Sequence, residues 1–180
     1  LKTLIFNNGC ITIKFVQWYI SNLRRKNDKN VKDFCNYFED IFDQCPYHKL
    51  EETENIFEKN FKFPIYNLVE KSTLKAFASG SIGQVYKAKL KDSDSWVAIK
   101  VKHPNVNKEV EKYTNLLKII NWLRKFDYFN KKYYLQFDIN EFIEDLAAQL
   151  DFDIETKHAR KFRELYIDND MIHIPRILNN

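Results

Sequence analysis

Apolar residues recur along this chain at two different periods, and the change of period divides it. Ile13, Val16, Ile20 and Leu23 fall three or four apart, which predicts an amphipathic helix within residues 1–26. Asn27 to Asn30 interrupts the pattern, and Phe34, Tyr37, Phe38 and Ile41 resume it over 31–42, with Cys45-Pro46 as its stop. A further short helix is predicted over 51–60, with Ile56 and Phe57 inward, ahead of Phe63-Pro64. From residue 76 the order becomes that of strands. Val85, Ala88 and Leu90 lead to a polar Asp92-Ser-Asp-Ser95 turn, and Trp96 to Val101 reads as a short buried strand.

After a turn at His103-Pro104-Asn105, helix period returns at Val106, Val110, Tyr113, Leu117 and Ile120 and runs to near Phe126. A polar and aromatic connector covers 127–134. Asp138, three residues before Glu141, has the signature of a capping box. It opens a helix predicted to run unbroken to about Tyr166, with Ile143, Leu146, Leu150, Ile154, Phe162 and Leu165 on its apolar side. Asp168-Asn-Asp170 stops it, and Met171 to Leu178 alternates as a strand in which Pro175 marks an edge or an end. The helices before residue 63 form a layer that must pack on something, and the strand unit is the expected partner.

Within this frame one stretch carries chemistry. Small residues fill positions 78–83, in Ala78-Ser79-Gly80-Ser81-Ile82-Gly83, followed by Gln84-Val85, and Trp96-Val-Ala98-Ile-Lys100-Val comes after the turn. Small side chains let backbone N–H groups approach phosphate oxygens closely. A lysine leaving a strand seventeen residues after Gly83 can pair with the same phosphates. Taken alone, Val-Ala-Ile-Lys also fits an ordinary hairpin whose lysine snorkels out of an apolar strand. Loop and lysine together favour the phosphate reading.

Composition narrows the rest. A chain of 180 residues, 44% apolar and 16% aromatic, can bury a sizeable core as one domain, or as one lobe plus an extension. Only 3 Gly and 4 Pro punctuate it, which favours long helices. The net charge of +4 comes from lysines scattered among nearly as many acids, so no nucleic-acid surface is implied. Arg24-Arg25-Lys26 with Lys29 and Lys32 reads as a solvated helix end and loop. Cys10, Cys35 and Cys45 are odd in number and lack metal-ligand spacing, which points to a reducing compartment without a disulfide framework. No stretch approaches the length of a spanning helix. Because the chain opens on Leu1, it is expected to be a piece of something longer, and the lack of a targeting signal carries no weight.

Other polar residues stand out only weakly. Lys14 and Gln17, with Ser21 one turn on, lie on a strip that reads as helix surface. Asp151 and Glu155 are one turn apart on the last helix. A carboxylate there can hold a strand lysine toward phosphates, or it can make exposed pairs with Lys157 or Arg160 worth about 0.2–0.5 kcal/mol. Glu155-x-x-His158 suggests a carboxylate-bridged metal site, but such a site needs a second pair, and His48, His103 and His173 have no Glu three residues before them.

Over roughly residues 10 to 178 the chain resembles the UbiB-type (aarF-like) atypical kinases associated with coenzyme Q metabolism. The loop 78–85 resembles that family's alanine-rich nucleotide loop, and Val101-Lys-His-Pro-Asn-Val106 its continuation of the lysine strand. Gln149-Leu-Asp-Phe-Asp-Ile-Glu155 with Ala159-Arg-Lys-Phe162 resembles its acidic helix, and the 55 residues from Lys100 to Glu155 fit its inserted helices. The implied fold is α+β. It is a protein kinase-like N-terminal lobe, a small antiparallel sheet plus a long αC-type helix, over 64–180 with a helical insert at about 104–137. A helical extension occupies 1–63.

The resemblance implies ATP with Mg as cofactor. Lys100 would contact phosphates, Glu155 would pair with it, and Ala78, Ser79, Gly80, Ser81, Ile82, Gly83, Gln84, Val85 and Ala98 would line the nucleotide. Lys14 and Gln17 match the first and last positions of a Lys-x-Gly-Gln signature whose helix lies across the active site and restricts protein substrates. Asp151 keeps the second acid of a Glu-x-Asp motif. Three departures are visible: Val16 replaces the signature Gly, Gln149 replaces the first acid, and Gly80 stands where many members have Ala, which should relax the loop. In the family the catalytic-loop Asp and Asn and the metal-binding Asp follow the fourth and fifth strands. No metal ligand is therefore expected before Asn180, and the stretch alone should not turn over ATP. Expected partners are the nucleotide and, by resemblance, membrane lipid or coenzyme Q biosynthesis proteins, with a mitochondrial or plastid address. The alternative is a pseudokinase-like module that binds nucleotide, lipid or a partner without catalysis.

Overall fold

Gly9 breaks what the apolar period reads as one N-terminal helix. Its φ of +84° lies in the left-handed region, and a Cβ there would sit 2.7 Å from a Glu109 carboxylate oxygen. The result is α1 (Lys2–Asn7) followed by α2 (Gly9–Leu23). The computed structural model describes residues 1–24, 29–42, 45–93, 95–123 and 138–178. They belong to two compact units, Leu1–Ile119 and Ile120–Asn180.

In the first unit, α3 (Lys29–Tyr37) gives way to a 3-10 turn at Glu39–Phe42, earlier than the period suggests. Ile5, Ile13 and Ile20 meet Cys35, Phe38, Ile41 and Cys45 in a core of their own, so this part of the helical layer packs on itself. Helix α4 (Leu50–Phe61) carries Glu51 and Glu52 in its first turn and Lys59 in its last, each matched to the helix dipole. Left-handed Lys62 (φ 66°) ends it. Its Phe57 joins Ile65, Val69 and Leu74 against Tyr86, Ala88 and Val101 of the sheet, so α4 is the helix that shares the strand core.

That sheet is antiparallel, in the order β1 (Lys75–Ser79), β2 (Gly83–Lys89), β3 (Trp96–Lys102), with a bulge between Ala76 and Ala78. Helix α5 (Val106–Leu123) follows, with Val106 and Val110 buried. The architecture is α+β with a small antiparallel sheet, as in a kinase-like N-terminal lobe. The predicted connector at 127–134 and the end of its preceding helix lie outside the described residues.

Two expectations for the second unit fail. The long helix is two helices, α6 (Ile139–Leu150) and α7 (Phe152–Leu165). Asp151 separates them with an extended backbone (φ −92°, ψ 96°), and its carboxylate accepts the Asp153 N–H at 2.9 Å as an N-cap. Residues 172–178 form no strand. The Ile174 carbonyl accepts instead from the Arg163 guanidinium at 2.7 Å, and Met171 is 93% exposed, without the half-burial that rewards a pleated surface.

Candidate functional site

Strand register decides which side chains share a face. Val85 pairs with Ala78 on one side and Lys100 on the other, and Lys87 pairs with Ala98. Directly opposed residues point the same way, so Ala78, Val85, Ala98 and Lys100 stand together on one face of the sheet. Gln84, Tyr86, Ala88 and Val101 point to the opposite face and are buried. Strand β3 is therefore half-buried, not fully buried as its run of apolar residues suggests. Trp96, Ala98 and Lys100 are exposed on its outer side, and the Lys87 ammonium lies 4.6 Å from the Trp96 ring centroid.

The loop joining β1 to β2 is bound down on several sides. Gly80 N–H donates to the Gly83 carbonyl at 3.0 Å, closing the turn. The Ser79 hydroxyl donates to the Pro46 carbonyl at 3.0 Å, and the Ser79 carbonyl accepts from Cys45 N–H at 3.2 Å. Ser79, Ser81, Ile82 and Gly83 are buried, so the loop presents backbone and not side chains. Gly83 is obligatory, because a Cβ there would run into the Val101 carbonyl oxygen across the β2–β3 pair. Gly80 is not. Its φ is not left-handed, and a Cβ would meet only the Gly83 carbonyl oxygen, at an ordinary 3.7 Å.

Helix α2 reaches this loop. Gln17, read from its residue type alone as surface, is buried; its Nε2 donates to the Ile41 carbonyl at 2.7 Å, and its Oε1 accepts from the Ser81 hydroxyl at 3.4 Å. Lys14 is half-buried three residues away. Burial holds its pKa below 10.5, and the Lys100 charge presses in the same direction. Cys45 and Cys10 press the other way, more strongly than Lys100, but burial outweighs them, and the Cys10 thiol is itself pushed up to about 12, chiefly by burial and then by Glu109. Lys14 and Lys100 are thus close enough for their charges to interact.

A second set of polar residues was not signalled by period or spacing. Beneath the loop, His103 Nε2 lies 2.9 Å from the Gly80 carbonyl oxygen, and its Nδ1 lies 2.7 Å from His48 Nδ1. His48 Nε2 lies 2.7 Å from the hydroxyl of Thr53, itself 2.6 Å from the Tyr86 hydroxyl. Gln84, expected against the nucleotide, instead directs its side chain into this layer. Its Oε1 accepts from His48 N–H at 2.9 Å. Only the sequence position of His103, one residue after β3, could have drawn attention to it.

Glu155 sits in the first turn of α7, in the second unit, whereas Lys100 is in the first. His158 is exposed on the same helix. Among the described residues no group of His, Cys, Asp and Glu is placed to hold a metal ion, and no helix is long and apolar enough to cross a membrane.

Residues 40–180 match the profile of the ABC1 atypical kinase-like domain. The chain is 28% identical over its whole length to the protein ACTIVITY OF BC1 COMPLEX KINASE 1, chloroplastic, of Arabidopsis thaliana, covering 26% of that protein. It is 30% identical over 82% of its length to the ABC1 family protein MCP2 homolog of Schizosaccharomyces pombe, covering 28%. It is 31% identical over 58% of its length to the atypical kinase coq-8, mitochondrial, of Caenorhabditis elegans, covering 14%. The chain thus spans about a quarter of the length of the first two relatives.

Proposed function

The chain belongs to the ABC1 atypical kinase-like family, and on that premise we propose that it is the ATP-binding N-terminal lobe of an atypical kinase or ATPase. The observation that carries this reading is the shared sheet face. Lys100 stands beside Ala78, Val85 and Ala98, next to a loop whose Gly83 admits no side chain. Small residues leave room for a nucleotide against the sheet, and the ammonium supplies charge for its phosphates. Lys14 supports the same reading, since an anion would offset the burial and the Lys100 charge that depress it. Glu155 is the proposed ion-pair partner of Lys100, holding the ammonium in the phosphate position. Bound Mg would neutralise phosphate charge. Its ligands are proposed to come from acids outside this stretch.

In this reading α2 lies over the nucleotide and restricts access of protein substrates, with Gln17 tied to the loop through Ser81. The names of relatives that are chloroplastic or mitochondrial, one of them coq-8, support an organellar setting. They also support a link to coenzyme Q biosynthesis or isoprenoid-lipid homeostasis, with membrane lipid or coenzyme Q proteins as partners. The stretch alone is proposed to be inactive and the full-length protein active. ATP hydrolysis by the full-length protein and by Lys100→Ala tests this. Loss of one preorganised charge should lower kcat/KM about a hundredfold or more, whereas equal rates contradict the assignment. The tie between α2 and the loop also fits a pseudokinase-like module, which would bind ATP without hydrolysing it in either form.

A further inference from the structure

The hydrogen bonds beneath the loop have a direction that chemistry alone assigns. A carbonyl only accepts, so His103 Nε2 carries a hydrogen and donates to Gly80. Neutral His103 then offers a lone pair at Nδ1, to which His48 Nδ1–H donates. Neutral His48 in turn accepts at Nε2 from the Thr53 hydroxyl, and the Thr53 oxygen accepts from the Tyr86 hydroxyl. The Tyr86 oxygen accepts from Gln84 Nε2, which also donates to the His48 carbonyl at 3.2 Å. With both imidazoles neutral, every hydrogen in the chain has an acceptor.

One added proton spoils this arrangement. On His48 it makes Nε2 a donor, so Thr53 must turn its own hydrogen toward Tyr86. The Tyr86 hydroxyl hydrogen is then left facing the Gln84 amide, another donor. On His103 the proton sets two N–H groups head-on at 2.7 Å, unless His48 changes tautomer and produces the same conflict at Tyr86.

We propose that His103, braced by His48, is a positioning residue for the nucleotide, holding the turn at 79–83 in its phosphate-receiving shape only while both imidazoles are neutral. The proposal rests on the nucleotide reading given above. His103 grips the turn twice, since its backbone N–H also donates to the Ile82 carbonyl at 2.9 Å. Glu52 of α4 favours a protonated His48, but burial first and His103 second outweigh it and lower the His48 pKa from 6.5. Lys49 and Lys102 flank the two histidines in sequence, and Tyr86 faces them from β2. A depressed imidazole contributes stability above pH 6.5 that is lost as pH falls toward its folded value, which sets the window in which the latch loosens.

The test uses the full-length protein, with ATP affinity measured by calorimetry at about pH 7.5 and 5.5 and amide hydrogen-exchange protection of 79–83 measured without nucleotide. The forms compared are wild type, His103→Leu and the double variant His48→Gln/His103→Gln. Glutamine at 103 can donate to Gly80 and the double variant carries neither imidazole, so it also reports any effect of pH on ATP itself. Relative to the double variant, wild type should lose about fivefold in affinity and in loop protection at the lower pH. His103→Leu should be weakened about fivefold at pH 7.5. A double variant that keeps the wild-type pH dependence overturns the proposal, as does His103→Leu with wild-type protection at pH 7.5. Should His103→Leu fail to fold, wild type against the double variant decides alone. Exchange needs no nucleotide, so loop protection that follows this pattern in a protein that binds no ATP supports the latch and overturns the nucleotide reading.

Discussion

At position 83 a single methyl group is one too many, and at position 80 it is not. Gly83→Ala drives a Cβ into the Val101 carbonyl and forces β2 and β3 apart, so it should cost about 1–3 kcal/mol in urea unfolding. Gly80→Ala meets only an ordinary contact, and it should leave stability unchanged or raise it by up to about 1 kcal/mol by restricting the unfolded chain. The two substitutions separate the glycine that the fold needs from the one it merely accepts. Lys14 poses the opposite problem. Its folded pKa lies below 10.5, so the stability tied to its neutral form is present above that pH and lost as pH falls through the folded value. At pH 7 the cation is therefore a burden on the fold. Lys14→Met should raise Tm at pH 7 and weaken ATP binding, and a lower Tm with unchanged ATP affinity would contradict its proposed phosphate role.

At the scale of elements, the break between α6 and α7 hangs on one carboxylate. Asp151→Ala removes the cap of α7 and should cost about 1 kcal/mol, whereas Asp151→Asn keeps an accepting oxygen and should cost little. Equal losses for the two would point to a role for the charge and not the cap. This break was hidden in the sequence because Asp151 fits the helical period as a surface acid, and its competing bond to its own backbone leaves no trace in a hydrophobic pattern. Gly9 hid the break between α1 and α2 for a similar reason: the period continues across it, and the Glu109 carboxylate that crowds the position comes from a distant helix. The strands were legible because alternation and the lysine spacing agree. What stayed illegible was the sheet's second face, where Gln84, Tyr86, Thr53 and the two histidines meet. Its contacts include pairs 33 positions apart at Thr53–Tyr86, 36 apart at His48–Gln84 and 55 apart at His48–His103, beyond the reach of any local pattern.

At the scale of the whole molecule, the proposed nucleotide site lies on a small sheet, and a helical extension is bonded to the loop beside it. Gln17 bonds to Ser81, and Cys45 and Pro46 to Ser79, while the first three helices keep an apolar cluster of their own and α4 shares the core of the sheet. Such an arrangement bonds α2 to the loop without making it part of the sheet. Residue type alone placed Gln17 on the surface, whereas it is buried and bonded to Ile41 and Ser81.

Lys100 is the residue on which the account turns, and nucleotide protection of its amine is the most direct measurement. The full-length protein is treated briefly with an amine-acylating reagent, with and without ATP, and the modified lysines are located by mass spectrometry. Lys100 should be shielded by ATP, while Lys87, on the same face but occupied by the Trp96 ring, should react equally in both. Equal acylation of Lys100 with and without saturating ATP would contradict the account.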